Sequence, residues 1–154
     1  MTSLKASLQD DLTAAIRAKD TSVTATLRMV LSAITNEEVA GKVARELSDQ
    51  EVMQVLTREA KKRKEAATAF DDASRPELAA KEREELEIIS RYLPEALSDE
   101  EIAQIIAAAV AEVTAGGQSG PSAMGAVMKL VTPQVAGRSD GGQVAAAVKA
   151  ALAN

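Results

Sequence analysis

Apolar residues recur every three or four positions along most of this chain, which is the spacing of one face of an α-helix. Ser3 and Asp20 precede the first two apolar stripes, where a side-chain oxygen can accept from the free amides of a first helical turn. The pattern predicts two amphipathic helices that form a hairpin, the second ending near Gly41. Their stripes consist of Leu4, Leu8, Leu12 and Ile16, followed by Val23, Leu27, Val30, Leu31 and Ile34.

Three later segments have the sequence of a capping box, in which a Ser side chain accepts from the third helical amide and a Glu side chain accepts from the Ser amide. They are residues 48–51, 74–77 and 98–101, and they predict the starts of the third, fourth and fifth helices. A proline in the first turn of the fourth helix is tolerated, because its missing N–H costs no helical hydrogen bond. We expect the third helix to reach about Phe70 and the fourth about Tyr92.

Pro94 follows the fourth helix, and the residue before a proline avoids the helical conformation, so we place a domain boundary there. Beyond it the pattern predicts three short helices: one that ends at Gly116, one that Pro133 stops, and one that follows a glycine-rich turn. The expected fold is all-α, with an N-terminal domain of about four helices over residues 1–94 and a small three-helix bundle over residues 95–154.

Composition supports this fold and removes several kinds of chemistry. Alanine supplies 31 of the 154 residues, and the only aromatic residues are Phe70 and Tyr92, which favours helix over strand. The chain contains neither Cys nor His, which excludes a thiol nucleophile, a thiolate or imidazole metal site and the usual general base near neutral pH. We therefore expect no catalytic residue, no metal and no cofactor.

Charge and hydropathy give an expected location. No apolar run approaches the roughly 18 residues that a membrane-spanning helix needs. Lys5, Asp10 and Asp11 interrupt the apolar pattern at the N-terminus, unlike the apolar core of a secretory signal. We expect a cytoplasmic protein that does not contact membranes.

Two charged segments are candidate sites. The run from Arg58 to Lys64 contains five cations, but helical geometry distributes them around the helix. We interpret this run as a solvated surface, with nucleic-acid contact as the alternative, because such contact needs cations on one face. A later acidic cluster could bind a metal or act as an acid–base pair, but no Glu-x-x-His pair accompanies it, so we interpret it as solvated charge. Its residues are Glu82, Glu84, Glu85 and Glu87.

Two further features have a structural and a functional interpretation. Met124 and Met128 lie four positions apart on an apolar face, which suits core packing or, alternatively, a groove for a partner. Arg28 borders the apolar stripe of the second helix. It can act as a clamp between helices, because a guanidinium bridges carboxylates or carbonyls, or it can contact an anion.

Six short segments spread over the whole chain carry a family resemblance. They are residues 26–29 (TLRM), 46–52 (ELSDQEV), 61–65 (KKRKE), 92–94 (YLP), 124–128 (MGAVM) and 137–141 (GRSDG). Together and in this order they resemble the YqeY-like family. The resemblance implies two helical domains, of which the second is similar to the tail domain of the B subunit of tRNA-dependent amidotransferase.

In that enzyme the tail helps to hold the tRNA, so the resemblance implies an accessory protein that binds tRNA, or an amidotransferase or translation complex, through its C-terminal domain. Carried over onto this sequence, Lys129 and Arg138 are the cations that would meet phosphate, and Lys149 adds a purely electrostatic contact. Residues 95–154 hold six acids and three bases, so we expect weak, salt-sensitive tRNA binding.

Two other functions stay open at this point. The family label of a carbon–nitrogen ligase with glutamine as amido donor would require a larger complex, because this chain has no ATP-binding loop and no Ser-Ser-Lys amidase signature. A protein–protein adaptor with no nucleic-acid role would dock a partner helix on the flank of Met124 and Met128, or on the long third and fourth helices.

Overall fold

The computed structural model describes residues 2–153, and all regular secondary structure in that range is helical, which confirms the all-α prediction. The chain divides into two compact units, the first ending at Leu93 and the second beginning at Pro94. The first unit contains α1 (Leu4–Arg17), α2 (Thr21–Glu38), α3 (Asp49–Asp72) and α4 (Pro76–Ser90). The second contains α5 (Asp99–Ala115), a 3-10 turn (Gly120–Ala123), α6 (Met124–Val135) and α7 (Gly141–Ala153).

Side-chain caps begin four of the helices as the sequence predicts. The hydroxyl of Ser3 accepts from an amide of α1, and the carboxylate of Asp20 accepts from an amide of α2. The capping boxes at residues 48–51 and 98–101 are complete, with both reciprocal hydrogen bonds present at the starts of α3 and α5. Each cap satisfies amides that a helix leaves unpaired and stabilises the helix by about 1 kcal/mol.

The capping box predicted at residues 74–77 is wrong, because Arg75 and not Ser74 holds the N-cap position of α4. Ser74 lies one position past the end-cap of α3 and has a φ of 60°, in the left-handed region. The amide of Arg75 donates to the carbonyl of Phe70 at 2.8 Å, which is the long bond of a Schellman motif. Arg75 therefore precedes α4 without a side-chain cap, and Pro76 takes the first turn, as predicted.

Pro133 lies inside α6, so the prediction that it stops this helix is wrong. Proline has no amide to donate to the carbonyl four residues earlier, here that of Lys129. The helical pattern nevertheless resumes, since the amide of Ala136 donates to the carbonyl of Thr132 at 3.0 Å. Val135 is buried in the core of the second unit, and this packing outweighs one lost hydrogen bond near the end of the helix.

Each unit has its own apolar core. In the first unit α3 packs along α4, and α2 contacts α1, α3 and α4. In the second unit α5, α6 and α7 each pack against the other two and form a small bundle. The fully buried side chains of the first core are Leu8, Leu27, Val30, Ile34, Val52, Leu56 and Ile89, and those of the second are Ala123, Val127, Val131, Val144 and Val148.

A buried ionic cluster joins α3 to α4 and corrects our interpretation of the two charged segments at Arg63 and Glu85, while most of their other residues are exposed, as predicted. Arg63 is only 8% exposed, and its Nη1 donates to the carbonyl of Glu59 at 3.0 Å and lies 3.3 Å from the Glu59 carboxylate. The Nε of Arg63 lies 3.3 Å from the carboxylate of Glu85 on α4, which is also largely buried. At this level the apolar stripe of α3 is thus replaced by one guanidinium that lies between two carboxylates.

Glu38, the last residue of α2, fixes the segment that leads into α3. Its carboxylate accepts from Lys5 Nζ at 2.8 Å and from the amide of Leu47 at 3.1 Å. Its backbone carbonyl accepts from the amide of Arg45 at 3.0 Å. The hydrogen bond from Lys5, followed by that from Leu47, holds the pKa of Glu38 below its usual range. One residue therefore connects α1, α2 and the approach to α3.

Replacing Glu38 by Gln should lower stability at neutral pH and weaken its dependence on pH. Because the pKa of Glu38 is lower in the folded chain, the stabilisation is complete above the unfolded carboxyl pKa of about 4.3 and is lost as the pH falls through the folded value. Urea midpoints of wild type and Glu38→Gln should differ at neutral pH and converge in acid. The control Glu84→Gln, at an exposed position of α4, should leave the midpoint unchanged. A gap that is constant across the pH range would contradict this account.

Replacing Arg63 by Ala should destabilise the protein by about 3–5 kcal/mol, because Glu85 would stay largely buried without its cation and Glu59 would keep only the exposed Lys62. Apolar residues at all three positions (Glu59→Leu, Arg63→Met, Glu85→Leu) should restore most of that loss. Chemical denaturation measures both effects. Arg58→Ala is the matched control, because the exposed pair of Arg58 with Glu37 should be worth at most about 1 kcal/mol. Equal losses for Arg63→Ala and Arg58→Ala would show that burial of the cluster is unimportant.

Candidate functional site

Two helices of the second unit carry sequence-predicted cations and no acidic residue. Lys129 lies on α6 and Lys149 on α7, and neither helix contains Asp or Glu. Both lysines are exposed. Within residues 2–153 neither side chain makes a hydrogen bond or an ion pair, so both ammonium groups are available to an anion.

The acids of the second unit are concentrated elsewhere. Four of the six lie between residues 95 and 101, where α5 begins, and a helix start favours negative charge. The backbone amide of Ser98, followed by its hydroxyl, holds the pKa of Glu101 below its usual range. The net negative charge of this unit therefore arises mainly from the start of α5 and not from α6 or α7.

Arg138 has a structural function in the second unit. It ends a type II turn whose third residue, Gly137, has a φ of 74°, and its amide donates to the carbonyl of Val135 at 2.9 Å. Its Nε donates to the carbonyl of Glu95 at 3.1 Å, and its own carbonyl accepts from the amide of Leu97 at 2.9 Å. These bonds attach the segment before α5 to the turn between α6 and α7, so replacing Arg138 would disturb the fold as well as any ligand contact.

Arg28 lies on the exposed side of α2, along an open groove of about 450 Å³ that α1 and α2 form. In the part of the chain that the structure describes, its guanidinium bridges no carboxylate or carbonyl. The clamp between helices that the sequence allowed is therefore not formed, and the interpretation as an anion contact stays a prediction. The other residues that line the groove are Leu12, Leu31, Ser32, Thr35 and Asn36.

The basic run on α3 has much of its charge engaged within the first unit. Arg58 pairs with Glu37 of α2 at 3.3 Å, and Lys62 pairs with Glu59 at 3.4 Å, while Arg63 is buried. Sequence reasoning missed the burial of Arg63. The signal that could have revealed it is the acidic residue at the next position of the apolar stripe of α3, where a buried partner was to be expected.

The described residues offer little other chemistry. No group of three or more acidic side chains in residues 2–153 is placed to hold a metal ion. Among those residues, no helix has the length and apolar character needed to cross a membrane.

The Tyr92 hydroxyl donates to Asp11 at 2.5 Å. Burial, followed by this bond, raises the pKa of Tyr92, so the hydroxyl stays protonated and acts as a donor. Met124 and Met128 are half-buried against the core of the second unit, in agreement with core packing.

The chain is similar to proteins of several yeasts. It is 35% identical over 136 residues to altered inheritance of mitochondria protein 41, mitochondrial, of Clavispora lusitaniae, covering 86% of this chain and 76% of that protein. It is 33% identical over 97 residues to an uncharacterized protein of Schizosaccharomyces pombe, covering 62% and 76% of the two chains. A protein of Candida glabrata with the same name as the first is 30% identical over 88 residues, covering 57% of this chain and 48% of that protein.

The names of two of these relatives include the word mitochondrial, while the cytoplasmic location expected for this chain stays a prediction. The family model described as Yqey-like protein matches residues 5–152. The match extends across both compact units, from α1 to α7. The chain therefore belongs to the YqeY-like family.

Proposed function

We propose that this protein is an accessory tRNA-binding protein, associated with an amidotransferase or translation complex, whose second unit contacts the RNA backbone through Lys129 and Lys149. The observation that carries the proposal is the pair of exposed, unpaired lysines on two helices that contain no carboxylate. Each phosphate that a protein neutralises needs a cation, and a nearby carboxylate would oppose the contact. The terminal guanidinium nitrogens of Arg138 add a third, weaker contact.

The proposal concerns binding and not catalysis. The chain has neither His nor Cys, so the usual nucleophile and general base are missing. The resemblance of residues 95–154 to an amidotransferase tail supports an RNA-holding role. Three cations against six acids give this unit a side-chain charge of −3, from 3 minus 6. The expected interaction with tRNA is therefore weak and sensitive to salt, which is consistent with an accessory protein of a larger complex.

Labelled bulk tRNA titrated with the full chain, followed by fluorescence anisotropy at several salt concentrations, tests the proposal. The plot of log K against log salt should have a slope of roughly −2 to −3, at about 0.9 per phosphate contact. The double variant Lys129→Glu/Lys149→Glu should weaken binding at least tenfold and reduce the slope by about two. Arg138 is left intact, because its replacement would break the bond to Glu95.

The matched control reverses two exposed lysines of the first unit, Lys42→Glu/Lys64→Glu, and makes the same change in net charge. This control should retain most of the affinity. Equal losses of affinity in both double variants would show that tRNA affinity depends only on net charge, and would contradict a specific contact at Lys129 and Lys149. Absence of tRNA binding at low salt would end the tRNA proposal itself.

A protein–protein adaptor is the second candidate, and exposed apolar residues near the end of α2 favour it. Val39 is 57% exposed and Val43 is 78% exposed, in a segment that Glu38 fixes through the amides of Arg45 and Leu47. Burial of such side chains against a partner would remove apolar surface from water at little cost in chain entropy, because the segment is already held in place.

A photo-crosslinking residue at position 43 of the full chain tests the adaptor function. We expect one protein to be captured in amounts comparable to the bait, and the additional change Val39→Ser to reduce that capture severalfold, because a neighbouring apolar contact is lost. The same crosslinker at position 147, on the exposed side of α7, is the control. Identical captures from positions 43 and 147 would argue against a docking role for this segment.

A further inference from the structure

Four hydrogen-bond donors lie on one face of α2, along the groove between α1 and α2. They are Arg28, Ser32, Thr35 and Asn36, and all four line the groove. Their spacing of four, seven and eight positions places them within an arc of about 100° of the helix surface. Together they offer a guanidinium, two hydroxyl groups and an amide to the same open space of about 450 Å³.

These donors are not used within the described part of the chain. Hydroxyl groups on the helices of the first unit commonly donate to the carbonyl four residues earlier, as those of Thr13, Thr26, Thr57, Thr68 and Ser90 do. The hydroxyls of Ser32 and Thr35 make no such bond within residues 2–153, and the side chains of Arg28 and Asn36 have no partner there either. The groove therefore presents four exposed donors that have no protein partner in the described part of the chain.

No carboxylate lines this groove, although the chain has a net charge of −5. The acids nearest to it along the sequence are engaged elsewhere. Asp11, beside Leu12, accepts from the Tyr92 hydroxyl, and Glu37, beside Asn36, pairs with Arg58. The local charge is that of Arg28 alone, which favours an anionic ligand and opposes a cationic one.

We propose that the groove between α1 and α2 is a binding site for a phosphate group. The planar fork of Arg28 matches two phosphate oxygens at once, and the hydroxyls of Ser32 and Thr35 and the amide of Asn36 supply donors to the same oxyanion. Leu12 and Leu31 give the groove an apolar wall for the carbon skeleton that carries the phosphate. The phosphate belongs either to an RNA backbone or to a small phosphorylated molecule.

As an RNA contact, the site rests on the proposed tRNA binding and gives the first unit its own share of that interaction. As a site for a small phosphorylated molecule, the groove does not depend on the proposed tRNA binding. The two cases are separated by testing inorganic phosphate and tRNA independently, with Arg28→Gln as the variant. Arg17→Gln on α1 is the matched control, because it makes the same substitution at an exposed arginine that does not line the groove.

Inorganic phosphate is titrated into the isotope-labelled full chain, against chloride at equal ionic strength, while NMR follows the Arg28 Nε–H and the Asn36 side-chain amide. Saturable shifts are expected at both groups in the wild type and in Arg17→Gln. In Arg28→Gln, the shift of the Asn36 side-chain amide should no longer saturate. Shifts that do not saturate in the wild type, or that survive Arg28→Gln, would overturn the site.

In the tRNA titration, Arg28→Gln should weaken binding by about tenfold and lower the salt slope by about one, while Arg17→Gln should have little effect. If phosphate saturates the site but tRNA affinity is unaffected by Arg28→Gln, the RNA source is overturned and a small phosphorylated ligand is supported. If wild-type protein binds no tRNA but still saturates with phosphate, the proposed function fails and the site stands.

Discussion

The carboxylate of Glu38 brings three helix ends together in the first unit. It ends α2, binds the ammonium of Lys5 on α1, and accepts from the amide of Leu47 just before the cap of α3. In the first turn of α3, Asp49 accepts from the amide of Leu4, the first residue of α1, at 2.9 Å. The ion pair of Glu38 with Lys5 joins the two helices that form the groove, in addition to their apolar packing. A neutral side chain at this position would loosen all three ends at once.

Much of the fold follows from local pattern. The apolar stripes and the Ser-x-x-Glu segments at residues 48–51 and 98–101 determine helix starts through interactions within one turn, and the structure confirms them. The segment at residues 74–77 has the same signature but forms no cap, because Ser74 takes the left-handed position that follows α3 and Arg75 precedes α4. The burial of Arg63 depends on Glu85, which is distant in sequence and meets it only through the register of that hairpin.

The sequence predicted individual residues of the candidate sites but not how they are arranged. Lys129 was found through the family resemblance and Lys149 from its charge alone, whereas the absence of acids from α6 and α7 became informative once the helix boundaries were known. Arg28 was singled out as a possible anion contact from its place beside an apolar stripe. The spacing of Ser32, Thr35 and Asn36 on the same face was visible, but whether their donors were free could not be inferred, because a helical hydroxyl can either bond to its own backbone or point into solvent.

Both hairpins of the first unit reverse direction through a left-handed residue that is not glycine, Lys19 with a φ of 58° and Ser74 with a φ of 60°. This conformation costs an L-residue about 1–2 kcal/mol, more than the roughly 0.5–1 kcal/mol that the extra chain entropy of glycine costs. The packing of the helices, and not the preference of the turn residue, therefore imposes both reversals. The stability of this unit can therefore be increased by substitution. A glycine at position 74 would raise its melting temperature and would leave the donors of α2 and the lysines of α6 and α7 unaltered.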